Sequence, residues 1–591
     1  MHDHRPQLQS ATECGKIIRM KRTILAAAAA LSAFLAPAGS PPPIRLAYNY
    51  CTLSYTFAYY GESEWSGEID RLAKAGYNVA LVTDGTFKVW EIVLRELGYS
   101  DDDIVRFIPD ECARAWWLMD NLAGEGGPLD QRTIDEDGRR GRFICDKMRA
   151  RGIEPVLQGY FGMMPLGHPS AIPQGKWSCY ERPPIVDPTS AEYSKIAAVW
   201  HHALEKVYGF KPKYLAGDLF HEGGKTDGID VTAAVRSVQS AQQSAFPSTV
   251  WVVQAWQANP TAAVRAGLDP RFTLIEALVK DMGAFAKDDS TCNLEYGDIP
   301  WIWCEVLNFG GNHGLYGNLR TFARLGRAAK GRGAKTFRGY GSLSEGFFTN
   351  PVCYDLFEEM MMRPAGSEMT DAELAAWLDG WVLRRYGTSN QKLLEAWRLL
   401  AETAYDCRLC QEGTVENVIC ADPSWSANNA STWGPKGGLW YDAAKLERAA
   451  ALLKAASASP KLRGNRHFES DRHDVMRQVV ANRLRALVPR LKDDESARAK
   501  FLRTAEHLCN VKATPPEFRL ATWEEMARRR AGERGATALH RMITTWADEK
   551  YGKTTLSDYA NREYVELVRD WYLPRWRQFL DPDGKKFPIK H

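Results

Sequence analysis

Two acidic residues stand out by the company they keep. Glu222 closes the run Asp218-Leu219-Phe220-His221-Glu222 and is followed by Gly223-Gly224, while Glu345 sits in Ser344-Glu345-Gly346. Each follows a short stretch of strand character, and comparable stretches end in polar and aromatic groups: Tyr48-Asn49-Tyr50-Cys51-Thr52, Gln254-Ala255-Trp256, and Glu305-Val306-Leu307-Asn308-Phe309-Gly310-Gly311-Asn312-His313. Two carboxylates facing each other among Trp and Asn side chains suit the cleavage of a glycosidic bond. One carboxylic acid protonates the leaving oxygen, and the other carboxylate attacks the anomeric carbon or activates water. The indoles supply flat apolar faces for the C–H face of a sugar ring. Taken singly, each residue has a plainer reading: a strand-end acid as a helix cap or loop ion pair, Trp256 as core, Asn308 as a turn former. The joint placement carries the inference, and from the residues alone it reaches a barrel hydrolase acting on carbohydrate.

Those positions matter because of the elements that precede them. Eight short apolar or β-branched runs occur from Pro41 onward: Ile44 to Tyr50, Asn78 to Thr83, Glu154 to Tyr160, Lys213 to Phe220, Thr249 to Trp256, Phe272 to Lys280, Pro300 to Phe309 and Thr336 to Ser344. Amphipathic stretches separate them, among them Glu64 to Ala75, Gly138 to Arg151, Ala191 to Tyr208, Ile229 to Ala245 and Leu319 to Ala329. Eight strand–helix alternations predict a parallel sheet closed into a (β/α)8 barrel, an α/β fold whose strand C-termini face the pocket. The two longest inserts, Lys88 to Asp137 and Phe161 to Thr189, follow strands two and three and are expected on that rim. Near Pro364 the pattern changes. A capping-box sequence at Thr370 to Glu373 opens a stretch of helical period, predicting helices at Asp371 to Tyr386, Asn390 to Ala404, Asp442 to Ala455, Arg472 to Val488, Asp494 to Cys509 and Tyr559 to Leu580. The reading is a barrel over residues 39–365 and an all-α C-terminal domain over 366–591. The segment Thr414 to Gly438, rich in Pro and Gly, reads as an exposed connection or rim element.

Composition narrows the partners. With 76 Lys and Arg against 73 Asp and Glu, the net charge of +3 offers no electrostatic reason to bind nucleic acid. At the N-terminus, Lys21-Arg22 precede an apolar run from Ile24 to Leu35 and then Ala36-Pro37-Ala38, the form of a secretory signal peptide over residues 1–38. That run falls well short of the roughly 20 residues that span a bilayer, so export without a membrane span is expected. Of 12 cysteines, Cys14 lies in the leader, which leaves an odd number and hence at least one free thiol. Cys407-x-x-Cys410 has no second pair nearby, and no His-x-His stands at a strand end, so neither zinc nor a metal-dependent hydrolase is favoured.

Several of these segments match a known family. Asn49-Tyr50-Cys51-Thr52-x-Ser54-Tyr55, Gly61 to Asn78, Met119 to Leu129 (MDNLAGEGGPL), Asp218-x-Phe220-His221-Glu222, Trp303 to Gly317, Leu556 to Asn561 (LSDYAN) and Tyr572 to Leu580 (YLPRWRQFL) resemble the α-N-acetylglucosaminidase family, glycoside hydrolase family 89. The run from Trp303 to Gly317 is the most specific. The resemblance implies a cofactor-free, retaining exo-enzyme acting on glycans with terminal α-linked N-acetylglucosamine. Glu222 would be the general acid/base and Glu345 the nucleophile, with carboxyl groups about 5 to 5.5 Å apart. It further implies a substrate pocket built from Asn49, Cys51, Trp116, Trp177, Asp218, Trp256 and Asn308, closed from the helical domain by Trp546 and Tyr559.

The sequence also departs from the family pattern. A small α/β domain that members carry ahead of the barrel is missing, since Gly39 to Pro43 alone separate the leader from strand one. The Trp-rich run after the first motif is replaced by Phe57 to Trp65, and the Gly-Gln-Glu after strand two by Gly85-Thr86-Phe87. Both are expected near the pocket rim, which leaves open a related exo-glycosidase of altered sugar specificity, or a glycan-binding protein that has lost turnover.

Overall fold

The computed structural model describes residues 43–123, 127–177, 180–278, 295–347, 349–408, 413–428, 439–543 and 562–583. Residues 1–38, expected to be a leader, and Trp546 and Tyr559 therefore lie outside the described residues. Eight parallel strands close into a barrel: β1 (Ile44–Ala47), β2 (Val79–Leu81), β3 (Glu154–Gln158), β4 (Tyr214–Ala216), β5 (Val250–Gln254), β6 (Thr273–Leu278), β7 (Trp301–Glu305) and β8 (Phe337–Ser342). All eight fall inside the predicted runs. They are buried on both faces, by the barrel interior and by the outer helices, and so read as continuous apolar stretches rather than alternating ones.

Closure is made by β8 against β1, with Ile44 opposite Gly339 and Ala47 opposite Ser342. Gly339 has φ +145, and a Cβ there would lie 1.9 Å from the Ile44 carbonyl oxygen, so the seam admits no side chain. Gly339→Ala is expected to destabilise the protein by roughly 3 kcal/mol or more, read as a lowered urea midpoint.

The insert after β2 is more helical than the sequence suggested, with Thr86–Glu96, Asp101–Phe107 and Arg114–Leu118 preceding Gln131–Ala150. The insert after β3 folds back as a two-stranded antiparallel ribbon, Lys176–Trp177 with Tyr180–Glu181. Phe87, expected at the rim, is instead fully buried, with the Arg114 guanidinium over its ring. Asp137 accepts from the amides of Gly85 (2.8 Å) and Phe87 (3.0 Å), doing the work of an N-cap for the helix that follows. Tyr59 and Trp65 are likewise buried. Within the replaced run, Glu62, Ser63 and Glu64 are exposed.

Beyond β8 the described residues form helices, including Asp371–Tyr386, whose capping box at Thr370 and Glu373 is present, and Gln391–Ala401, Ala443–Ala456, Arg466–Leu487 and Glu495–Glu506. Pro351–Met361 and Leu520–Ile543 were not anticipated. The latter carries charge around its circumference and breaks at Ala531 and Gly532, so it lacks a clean helical period. In the segment read as an exposed connection or a rim element, residues 413–421 are buried and residues 422, 425, 426 and 428 are exposed. Thr414 bonds to Gln478 and Asn417 to Glu563, which satisfies polar groups that would otherwise need water. This helical region is stitched to the β2 insert by ion pairs, Arg530 with Glu136 at 2.7 Å and Arg534 with the buried Asp110 and Glu111. No helix among the described residues is long and apolar enough to cross a membrane.

Candidate active site

The exit from β4 is bent by two non-glycine residues in the left-handed region, Phe220 (φ +62) and Glu222 (φ +47). Such conformations cost energy and persist only where the surroundings enforce them. Here the enforcing group is Arg182, delivered by the ribbon after β3. Its guanidinium donates to the carbonyls of His221 and Glu222 at 2.8 Å each and to that of Asp120 at 3.3 Å. The bend presents the Glu222 carboxylate to three donors: Asn121 Nδ2 at 2.9 Å on one oxygen, and Trp256 Nε1 at 3.0 Å with Gln257 Nε2 at 3.2 Å on the other. Trp256 is thus neither simple core nor a free stacking plate. It orients the acid and stacks on Phe309 with ring centroids 5.9 Å apart.

Asp218 and His221 lie beneath. The His221 Nδ1 is 3.3 Å from Asp218 Oδ2, and its Nε2 is 3.8 Å from Glu222 Oε2. Burial works to lower the His221 pKa, but the Asp218 hydrogen bond and the charges of Glu222 and Asp218 outweigh it, so the net shift is upward. Asp218 also accepts from the Gln254 amide at 3.0 Å, which ties the β4 exit to β5.

Glu345 is buried at the β8 exit, where its Oε2 accepts from the Gly310 amide at 2.5 Å. Its strand end is pinned by Glu305, a fully buried carboxylate at the end of β7 that accepts from Ser342 and Ser344. Cys51, on the helix Tyr50–Tyr55 after β1, joins the two acids. Burial raises its thiol pKa, the charges of Glu345 and Glu222 raise it further, and so does the hydrogen bond it gives Glu345. The thiol therefore stays protonated as a donor. Iodoacetamide at pH 8 is expected to leave Cys51 unmodified in the folded protein and to alkylate it in urea, as mass spectrometry of its peptide would show.

The remaining candidates divide. Trp116 is buried, edge-on to Tyr55 at 5.0 Å, and its carbonyl receives the Asn121 amide at 2.8 Å, so it sets the residue that holds Glu222. Trp177 is half-buried on the ribbon and stacks on Tyr180. Asn49 and Asn308 are committed to the scaffold. Asn49 caps the helix through Thr52 and donates to the Leu343 carbonyl at 2.6 Å, and Asn308 (φ +50) forms the turn after β7, bonded to Thr349, Asn312 and Tyr354. For Asn308 the turn-forming reading describes what the side chain does.

Several groups were missed. Asn121 and Gln257 hold Glu222 but lie in loops with no periodic signal; Asn121 falls within the matched segment Met119 to Leu129. Asp120 and Glu276 are buried acids whose pKa values are pushed up to about 7 and about 8 by burial, with the charge of Asp218 adding to each. Near neutral pH they carry protons for part of the time, and can donate to a hydroxyl as well as accept from one.

Comparison with known proteins follows the same lines as this geometry. The family model for the α-N-acetylglucosaminidase (NAGLU) tim-barrel domain matches residues 45–364, and that for the NAGLU C-terminal domain matches residues 377–586. The α-N-acetylglucosaminidase of Homo sapiens is 29% identical over 579 residues, which cover 92% of this chain and 75% of the human protein. A family 89 glycoside hydrolase from Clostridium perfringens in complex with PUGNAc superposes with a TM-score of 0.85 at 28% identity, covering 94% of this chain and 66% of that one. CpGH89 from the same organism, with two glutamates replaced by glutamine and in complex with its substrate GlcNAc-α-1,4-galactose, superposes with a TM-score of 0.83 at 27% identity, covering 92% and 64%. The chain spans about two thirds of the length of these clostridial proteins. It belongs to the α-N-acetylglucosaminidase family, glycoside hydrolase family 89.

Proposed function

We propose that the protein is an exported, retaining exo-glycosidase that removes terminal, non-reducing α-linked N-acetylglucosamine from glycans. The observation that supports this reading is that Glu222 and Glu345, from the exits of two different strands, both lie near enough to the Cys51 thiol for their charges to act on it, and the thiol donates to Glu345. In an α-linked N-acetylglucosaminide the 2-acetamido group is cis to the leaving group and cannot attack from behind. A retaining enzyme acting on this linkage must therefore supply its own nucleophile. Glu345, held by the Gly310 amide and the Cys51 thiol, attacks the anomeric carbon and forms a β-linked glycosyl ester. Glu222 gives its proton to the leaving oxygen, then takes one from the water that opens the ester. Asn121, Trp256 and Gln257 keep it aimed through both steps.

The clostridial relative with two glutamates replaced by glutamine, bound to GlcNAc-α-1,4-galactose, supports the same sugar and the same residue type. The leader over residues 1–38 supports export. The test is release of p-nitrophenol from p-nitrophenyl α-N-acetylglucosaminide, with the anomer of the first-formed sugar read by NMR. The expected result is the α-anomer. A β-anomer would overturn retention, and release from other α-hexosaminides or hexosides alone would overturn the sugar assignment.

A further inference from the structure

Residues 562–564, from the C-terminal end of the chain, lie against the glycine loop after β7. Arg562 is buried, donates from Nη1 to the Gly311 carbonyl at 2.6 Å, and lays its guanidinium over the Tyr55 ring at 4.6 Å. Its Nε and Nη2 are buried with no hydrogen-bond partner among the described residues. A guanidinium taken out of water without an acid beside it is costly, so what holds it in place needs a reason other than ion pairing. The next residue adds a second tie, the Glu563 amide donating to His313 Nδ1 at 3.2 Å. Burial, together with the charges of Arg477, Arg562 and His473, keeps His313 neutral and able to accept.

What Arg562 grips is the Gly311–Asn312 peptide, one peptide removed from the Phe309–Gly310 unit whose N–H holds Glu345. Gly310 and Gly311 are consecutive left-handed residues (φ +65 and +66), Gly311 N donates back to Asn308 O at 2.7 Å, and Gly310 N donates to Glu345 Oε2. A Cβ on Gly311 would stand 2.7 Å from Arg562 Nη1, so the loop and the arginine fit only with glycine there. Of these two amides, that of Gly310 faces the carboxylate, and its aim depends on the conformation of the two glycines that follow Phe309.

The structure assigns Arg562 as a positioning residue: by fixing the Gly311 carbonyl from the helical region it keeps the Gly310 N–H pointed at Glu345. This inference rests on the nucleophile role proposed for Glu345. Arg562→Met is expected to lower kcat on p-nitrophenyl α-N-acetylglucosaminide roughly 10- to 100-fold with KM nearly unchanged, the loss of one charge-assisted hydrogen bond at the nucleophile. It should also move the acid limb of the kcat/KM profile upward by about one pH unit, because a carboxylate that loses a fixed donor becomes more basic. Arg562→Lys, whose ammonium can still reach the Gly311 carbonyl, should recover most of the rate and restore the limb.

An unchanged kcat, or a loss with no movement of the limb and no rescue by lysine, would overturn the assignment. If Arg562→Met does not fold, Gly311→Ala, whose Cβ would displace the Arg562 guanidinium, decides by the same readings. If the wild type releases no sugar, the failure belongs to the proposed function. The positioning role is then read from hydrogen exchange of the peptide spanning Asn308 to His313, where protection that is the same in wild type and Arg562→Met, or in wild type and Gly311→Ala, overturns it.

Discussion

Glu345→Gln is expected to abolish turnover, by about 10⁴-fold or more in kcat/KM, because no ester can form and the acetamido group cannot take its place. Burial makes the substitution close to isosteric: the side-chain amide would still meet the Gly310 N–H and the Cys51 thiol, so thermal unfolding should be nearly unchanged. The diagnostic experiment uses Glu345→Gly with azide. An external anion occupying the vacated space attacks the same face, and the product is the β-glycosyl azide. Formation of the α-azide, or Glu345→Gln activity within tenfold of wild type, would remove Glu345 from the nucleophile role.

Glu222→Gln carries the second-largest effect, and its signature differs. With natural linkages, whose leaving groups need a proton, kcat/KM should fall by about 10³- to 10⁴-fold. With p-nitrophenyl as leaving group the first step needs little help, so a burst of p-nitrophenol should precede a slow steady state limited by hydrolysis of the ester. Azide should then accelerate the second step and yield the α-glycosyl azide, opposite to the product from the Glu345 variant. Equal losses on activated and unactivated substrates, with no burst, would mean that Glu222 is not the proton donor. The three hydrogen bonds at Glu222 allow a subtler check. Trp256→Phe removes one donor while keeping the ring on Phe309, so it should alter the pH profile more than KM.

Much of the architecture was legible because parallel strands buried on both faces leave unbroken apolar runs at regular intervals. All eight were found in this way, and Thr370 announced its helix by capping chemistry alone. The two carboxylates drew attention for a related reason, since a strand end in such a barrel is where chemistry is expected, and both do lie at strand exits. What escaped was whatever depends on long-range company. The left-handed turns at Phe220 and Glu222 are enforced by Arg182, nearly forty residues earlier in the chain, and no local pattern reports that. The buried stretch 413–421 looks like a surface loop because its Pro and Gly neighbours do, and only its bonds to Gln478 and Glu563 reveal otherwise. Phe87 was misplaced to the rim because its position next to a strand end suggested the pocket, whereas Asp137 and Arg114 draw it inward. Asn49 and Asn308 show that a residue can belong to a family motif for the scaffold it builds as well as for any ligand it touches.

The cationic stitches from Leu520–Ile543 have an implication for how the two folds can exist. Asp110 and Glu111 sit deep in the segment that leads to Trp116, and burial together with their mutual repulsion pushes Asp110 to about 7 even with Arg534 beside it. A barrel expressed without its helical partner would face neutral pH with two crowded acids and without Arg534, and the first part to loosen would be the wall that supports Asn121 and, through it, Glu222. The helices are thus a condition for the barrel's own integrity, and the two halves are expected to melt in one transition.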